Sequence, residues 1–332
     1  MDDSRIVTGD ALHVLKEIPD NSFRCCVTSP PYWGLRDYGI ADQIGAETEF
    51  TRYFEHLCLV FREVRRTLTD DGTLWLNIGD GYTSGNRTWR DADKKNQARG
   101  MSYRPPTPNG LKPKDLLGVP WRLAFALQAD GWYLRSDIIW SKPNAQPESV
   151  KDRPSRAHEY VFLLSKSQDY YYDHEAMQEP AVQNRRPNGK SRNRRTVWTI
   201  NTEAFPEAHF ATFPPDLVTP CILAGTEEGD IVLDPFFGSG TVGVVCRGLG
   251  RRFLGIELNP DYIEIAERRL NGQEGFASDR PSQYQPRLLA EVRGHDARPP
   301  DLVLQTPGDD PDALPPAGEG TDGGGAARRY RP

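Results

Sequence analysis

Thr28-Ser29-Pro30-Pro31-Tyr32 follows directly on the apolar run Phe23–Val27. Two consecutive prolines fix φ near roughly −65° and remove two backbone donors. They leave a stiff row of carbonyl acceptors, with a hydroxyl before it and an aromatic ring after it. Such a ledge suits an exocyclic amino group, which brings two N–H donors and a lone pair delocalised into its ring. Ser29 Oγ and the Pro30 carbonyl can accept those two hydrogens, which favours a tetrahedral nitrogen with its lone pair turned outward. Tyr32 can stack on the ring that carries the amine. Taken alone, the Ser-Pro-Pro-Tyr tetrapeptide reads more readily as a proline-rich turn in which Tyr32 packs; what favours the ledge is that other ligand-type loops fall at equivalent strand ends.

The second stretch is Asp234-Pro235-Phe236-Phe237-Gly238-Ser239-Gly240-Thr241, between an apolar strand-like run and a helix-like run. Gly238, Gly240 and Gly243 satisfy G-x-G-x-x-G, and Glu257 lies 19 residues beyond Gly238 at the end of the next strand-like run. The glycines let the backbone turn tightly beside a ligand. The acid can accept both hydroxyl hydrogens of a ribose. This loop alone fits NAD as well as S-adenosylmethionine, and a ligand-free tight turn is the plainer alternative.

Elements able to hold these loops follow from the hydrophobic pattern. Arg5–Thr8, Phe23–Thr28, Thr73–Ile78, Trp132–Trp140, Glu159–Ser165, Asp230–Asp234 and Arg252–Glu257 read as strands. Phe50, Tyr53, Phe54, Leu57, Phe61, Val64 and Leu68 recur at helical steps, and Asp70-Asp71-Gly72 marks the end of that helix. Further helices are expected over Pro120–Ala129, Asp216–Ala224, from Ser239, and over Pro260–Leu270. Seven strands interleaved with helices predict an α/β fold with a mostly parallel, Rossmann-like sheet. Ligands of such sheets bind beyond the carboxyl ends of the strands, where Gly9-Asp10, the Ser-Pro-Pro-Tyr loop, the glycine loop and Glu257 all fall.

With both loops in view, the chain resembles the S-adenosylmethionine-dependent DNA amino-methyltransferases. Their catalytic signature is Asp, Ser or Asn, then Pro-Pro and an aromatic residue, matched by Ser29 to Tyr32. Their cofactor signature, D-P-F-x-G-S-G-T, is matched by Asp234 to Thr241. The catalytic loop comes first, as in the circularly permuted β class. Gly9-Asp10 resembles the acid that meets the cofactor adenine. Trp140–Asn144 and His158–Phe162 resemble later catalytic-domain motifs, and His209–Pro214, with Phe213, the segment near the cofactor's methionine end.

The resemblance implies a methyltransferase domain over 1–272. In it Asp10, Phe213, Asp234, Phe236, Gly238, Ser239, Gly240, Thr241 and Glu257 hold S-adenosylmethionine, and Ser29, Pro30, Pro31 and Tyr32 receive a base flipped from duplex DNA. Within the family, serine at the first motif position leans towards cytosine N4 and aspartate towards adenine N6, so Ser29 implies cytosine, with adenine as the alternative. Two other readings compete. An NAD-dependent dehydrogenase leaves Ser29–Tyr32 unexplained, and a non-catalytic DNA-binding relative leaves the intact motif residues unexplained.

Net charge is −6, which on average disfavours DNA. Its distribution does not. Asn86–Asp115 carries +5, Pro180–Thr202 carries +6, and Gln273 onward carries −3, so the remaining body carries −14. Local potential governs phosphate contact. The inserts 83–115, with Arg87, Lys94 and Lys95, and 175–205, with Arg185, Arg186, Lys190, Arg192, Arg194 and Arg195, are the candidate double-stranded DNA contacts. Residues 273–332, with nine prolines and eight glycines, read as a disordered tail.

Five cysteines without a C-x-x-C pair predict reduced, mostly buried thiols, neither disulfides nor a metal site. No apolar run approaches the roughly 20 residues a membrane helix needs. The start Met-Asp-Asp-Ser-Arg lacks a signal-peptide pattern. A cytoplasmic protein of a bacterium or phage-infected cell is therefore expected, with a restriction endonuclease as a partner the resemblance allows. Monomer and homodimer both stay open.

Overall fold

The computed structural model describes residues 4–34, 43–83, 105–180, 191–203 and 213–272. Arg87, Lys94, Lys95, Arg185, Arg186, Lys190 and the stretch from Gln273 lie outside them. In chain order the described strands are β1 (Arg5–Thr8), β2 (Phe23–Thr28), β3 (Leu68–Ile78), β4 (Tyr133–Ser141), β5 (His158–Ser165), β6 (Gln178–Pro180), β7 (Ser191–Asn193), β8 (Val197–Thr199), β9 (Ile231–Asp234) and β10 (Arg252–Glu257). The helices are α1 (Ala11–Lys16), α2 (Phe50–Thr67), α3 (Val119–Ala129), α4 (Pro215–Gly225), α5 (Thr241–Gly248) and α6 (Pro260–Leu270).

Eight strands form one sheet in the order β1-β10-β9-β2-β3-β5-β4-β8, while β6 and β7 form a separate antiparallel ribbon. All sheet pairs are parallel except the two made by β5. The late strands β9 and β10 lie between β1 and β2, so chain order and spatial order are permuted. The expected seven strands are therefore joined by an eighth, β8, at the sheet edge beside β4. Its three residues fall in the stretch read as a basic insert.

Strand pleating explains the two cores. Alternate residues point to opposite faces. Cys26, Leu74, Leu76, Phe162 and Leu164 pack with Leu15 of α1, Tyr53, Leu57, Phe61 and Val64 of α2, and Leu123 and Leu127 of α3. Cys25, Val27, Trp75, Val161 and Leu163 pack on the other face with Leu217, Val218 and Ile222 of α4, Val242 and Val245 of α5, and Ala266 of α6. Central strands buried on both faces read as continuous apolar runs, as β2 does. The four cysteines Cys25, Cys26, Cys221 and Cys246 are buried, Cys58 is half-buried, and all five are free thiols. Desolvation pushes Cys25 up to about 12, which keeps it protonated and unreactive.

One boundary differs from expectation. Asp70-Asp71-Gly72 does not separate α2 from the next strand, because β3 begins at Leu68 as soon as α2 ends. Phe23 pairs with Leu68 but Cys25 with Thr73, so the three residues lie in a bulge. The segment after β5 satisfies that bulge: Lys166 N–H donates to Gly72 O, Tyr171 N–H to Asp71 O and Ser167 Oγ to Asp70 O. Composition signalled a turn there. A bulge with neighbours ready to bond it satisfies the same residues.

Candidate active site

The ends of β2, β3, β9, β10 and β1 share one edge of the sheet, with Thr28 opposite Leu76, Gly255 opposite Asp234 and Thr8 opposite Glu257. The turn from β9 into α5 is the glycine loop. Gly238 has φ +51° and Gly240 φ +82°, both in the left-handed region that glycine adopts without strain. Gly243 serves packing: a Cβ there would stand 2.7 Å from the Phe237 ring. Phe237 stacks on Phe253 with ring centroids 5.4 Å apart and lies across Gly255, where a Cβ would meet it at 2.3 Å. Gly255→Ala should therefore push this ring, and the loop that carries it, out of place. The expected cost is about 1–3 kcal/mol of stability, seen as a lower melting temperature.

Glu257 closes the loop from the next strand. Its Oε2 accepts from Gly238 N–H at 2.7 Å and its Oε1 from Asn259 N–H at 2.8 Å. Burial raises its carboxyl above the ordinary range, against the lowering effect of those N–H donors. Gly9 N–H donates to Glu257 O at 3.0 Å, which sets Asp10 beside this strand end. Asp10 itself is half-exposed and caps α1, accepting from His13 N–H at 3.0 Å. Phe236 is half-buried and meets Phe61 edge-on.

Ser239 and Thr241 behave differently from a pair of ligand hydroxyls. Both are buried, and Arg269 of α6 holds them from beneath. Arg269 Nη1 donates to Thr241 Oγ1 at 2.9 Å, Ser239 O at 3.2 Å and Ser239 Oγ at 3.4 Å. The loop thus rests on a buried guanidinium that nothing in the sequence pattern distinguished from a surface arginine near a helix end.

Asp234 is also turned inward. It is 1% exposed, and its Oδ1 accepts from Thr28 Oγ1 at 2.6 Å and from Phe236 N–H at 3.1 Å. Here it joins the strand before the glycine loop to the strand before Ser29, two segments 206 residues apart. Burial pushes this carboxyl up to about 7, the two hydrogen bonds oppose that rise, and the Glu257 charge adds to it. An unfolded aspartate titrates near roughly 3.9. The folded chain therefore keeps a proton that the unfolded chain has lost between these values. That contribution to stability is full below about 3.9 and drains away as pH rises through 7. Asp234→Asn keeps the Oδ1 acceptor but cannot ionise. It should flatten the fall in melting temperature between roughly pH 4 and 8 that this one group imposes on the wild type.

The Ser-Pro-Pro-Tyr loop is fixed at three points. Tyr53, fully buried on α2, donates its hydroxyl to Pro31 O at 2.9 Å. Tyr32 donates its own to Glu159 Oε2 at 3.0 Å. Gly34 N–H donates to Gly45 O at 2.8 Å. Ser29 is half-buried, and no hydrogen bond among the described residues engages its hydroxyl. Phe213 lines a narrow cavity with Thr28 and Asn77 at the same sheet edge. Sequence reasoning did not single out Glu159, Lys142 and Asn77, although the first two lie in stretches that carried the resemblance. A larger cleft, bounded by Phe54, Cys58, Arg62 and Asp130, lies between α2 and the C-terminal end of α3.

The described basic residues are partly neutralised. Arg192 and Arg195 both pair with Glu179 Oε1 at 2.9 Å, and Arg194 lies over the Trp198 ring at 4.4 Å. A charge count starting at Pro180 stops one residue short of this carboxylate. Among the described residues there is no cluster suited to a metal ion and no helix long and apolar enough to cross a membrane.

A permuted α/β sheet that carries the glycine loop, Glu257 and the Ser-Pro-Pro-Tyr loop along the ends of neighbouring strands defines an α/β protein of the nucleotide-binding type. Comparison narrows that class. The family model for N6/N4 DNA methylases matches residues 23–268, and the chain belongs to that family: it is a DNA methyltransferase. The type II methyltransferase M.Cfr9I of Citrobacter freundii is 65% identical over 266 residues, 80% of this chain and 87% of the relative. M.SmaI of Serratia marcescens is 63% identical over 266 residues, covering 80% and 90%. Among solved structures, TTHA0409 of Thermus thermophilus in complex with S-adenosyl-L-methionine superposes with a TM-score of 0.57. It is 26% identical, over 82% of this chain and 96% of its own.

Proposed function

We propose that this chain is a type II modification enzyme that moves a methyl group from S-adenosyl-L-methionine to cytosine N4 within a short site in duplex DNA. The observation that carries the reading is the 2.6 Å bond between Thr28 and Asp234. Ser29 follows one partner and the Phe236–Thr241 loop follows the other, so the amine ledge and the cofactor loop stand on one floor.

The residues fit the cofactor. Each oxygen of Glu257 already accepts one backbone N–H and keeps a second lone pair for a ribose hydroxyl. Asp10 stands at the neighbouring strand end for the adenine, and Phe213 at the sheet edge for the methionyl end. When bound, S-adenosyl-L-methionine supplies an electrophilic sulfonium methyl. The chain's own work is then to deliver and orient the amine. Flipping the base costs a few kcal/mol, offset by stacking on Tyr32 and by pocket hydrogen bonds. Ser29 Oγ and the Pro30 carbonyl accept the amine hydrogens, holding the nitrogen lone pair in line, and most of the rate follows from that orientation.

Cytosine is preferred over adenine because a serine, not an aspartate, opens the ledge. Residues 1–272 form the methyltransferase domain in this reading. Arg192, Arg194 and Arg195, with the basic residues of 83–115 and 175–205, grip DNA. A restriction endonuclease of the same site specificity is the partner such an enzyme implies. The test is to hydrolyse DNA from cells expressing the protein and quantify methylated nucleosides by mass spectrometry. N4-methylcytosine is expected. N6-methyladenine would overturn the base assignment, and neither product would overturn the activity.

A further inference from the structure

We propose that Lys142 and Glu159 are positioning residues for the Tyr32 ring, acting as a sheltered ion pair that sets the stacking wall of the base pocket. The proposal rests on the reading of Ser29–Tyr32 as the base-binding loop. Three separate segments converge on the Glu159 carboxylate. Glu159 Oε2 accepts from Tyr32 OH at 3.0 Å and from Asn77 Nδ2 at 3.3 Å. Glu159 Oε1 pairs with Lys142 Nζ. The ammonium also lies over the Trp140 ring, 4.0 Å from its centroid. Asn77 is itself fixed by donating to Tyr160 O at 3.1 Å. The two oxygens therefore divide the work: one holds the tyrosine, the other is held by the lysine.

Packing closes the other side. Gly79, just past β3, touches the same ring, and a Cβ there would stand 2.9 Å from Tyr32 Cε2 and 3.1 Å from Glu159 Cδ. Backbone on one side and a bonded hydroxyl at the tip leave the ring little freedom.

Stability does not explain the pair. Its side chains are 14% and 19% exposed, and at such sites the loss of hydration offsets much of the attraction. Weighed as an ion pair alone, it could be replaced by well-packed apolar residues at little cost to the fold. What apolar residues cannot do is accept a hydrogen bond from Tyr32. A ring that must meet a flat base in one plane gains from being fixed beforehand, since small misplacement at a reacting group carries a large rate cost.

The test uses the full chain on DNA containing its mapped site, and compares the wild type, Tyr32→Phe, the double variant Lys142→Met/Glu159→Leu, and all three changes together. The apolar double variant guards against a folding failure, and melting temperature and S-adenosyl-L-methionine affinity are measured for each. The double variant should stay folded, its melting temperature lowered at most by what the unpaired Tyr32 and Asn77 donors cost, and bind the cofactor unchanged, with kcat down about tenfold or more. Tyr32→Phe should lower kcat in the wild type but add almost nothing in the double variant, because the anchor is already gone. Full turnover in the double variant, or an equal Tyr32→Phe loss in both backgrounds, would overturn the proposal alone. If the wild type moves no methyl to DNA, the reading beneath it fails, and the proposal with it.

Discussion

Ser29→Ala is expected to lower kcat for methyl transfer by about ten- to a hundredfold while leaving S-adenosyl-L-methionine affinity unchanged. As the amine nitrogen forms its new bond it gains positive charge, and its N–H groups become stronger donors. An acceptor at Ser29 Oγ is therefore worth more in the transition state than in the bound substrate, the condition under which an interaction raises kcat. Hydrogen bonds to charged groups contribute about 1.5–3 kcal/mol. At roughly 1.4 kcal/mol per tenfold in rate, that is the expected loss. The fold should tolerate the change, because Ser29 is only half-buried and its hydroxyl bonds to none of the described residues. Single-turnover assays with saturating cofactor would isolate the chemical step. A rate equal to wild type would remove Ser29 from the mechanism.

The same residue illustrates what the chain discloses before it folds. Ser29–Tyr32 and Asp234–Thr241 are contiguous, so their spacing is legible and the strands before them announce themselves as apolar runs. The strands β2, β9 and β10 are nearly unbroken apolar stretches because both faces are covered. The helix α2 shows its period because it has one wet face.

What escaped notice depends on distant partners. β8 is three residues long and is defined by its backbone bonding to β4, which no composition records. Arg269 sits in the last turn of α6, where a cation is ordinary. Only the packing of α6 beneath the glycine loop turns it inward. Glu159 and Lys142 belong to different strand ends, and their meeting with Tyr32 is a product of sheet order. The motif residues also divide once folded. Glu257 and Ser29 stay at the strand edge, whereas Asp234, Ser239 and Thr241 turn into the protein and hold the loops from below. A motif's spacing reports that its residues are needed, and burial reports for what.

Glu257→Ala is expected to weaken S-adenosyl-L-methionine binding more than any other single change to the loop. The carboxylate has two tasks. It accepts Gly238 N–H at 2.7 Å and Asn259 N–H at 2.8 Å, which sets the loop, and in the proposed role its remaining lone pairs accept the ribose hydroxyls. Losing two hydrogen bonds to a charged acceptor, at about 1.5–3 kcal/mol each, corresponds to a Kd increase on the order of a hundredfold or more. Isothermal titration calorimetry would measure it, and unchanged affinity would reject the ribose role. The raised Glu257 carboxyl adds a second signature. Ribose hydroxyls need an acceptor, so wild-type affinity should fall as acidification protonates Glu257, with the fall beginning above the ordinary carboxylate range. Glu257→Gln separates the two tasks. Its amide has only one oxygen to share between the loop and the ribose, so affinity should fall part of the way, and the acid dependence of binding that belongs to this group should vanish.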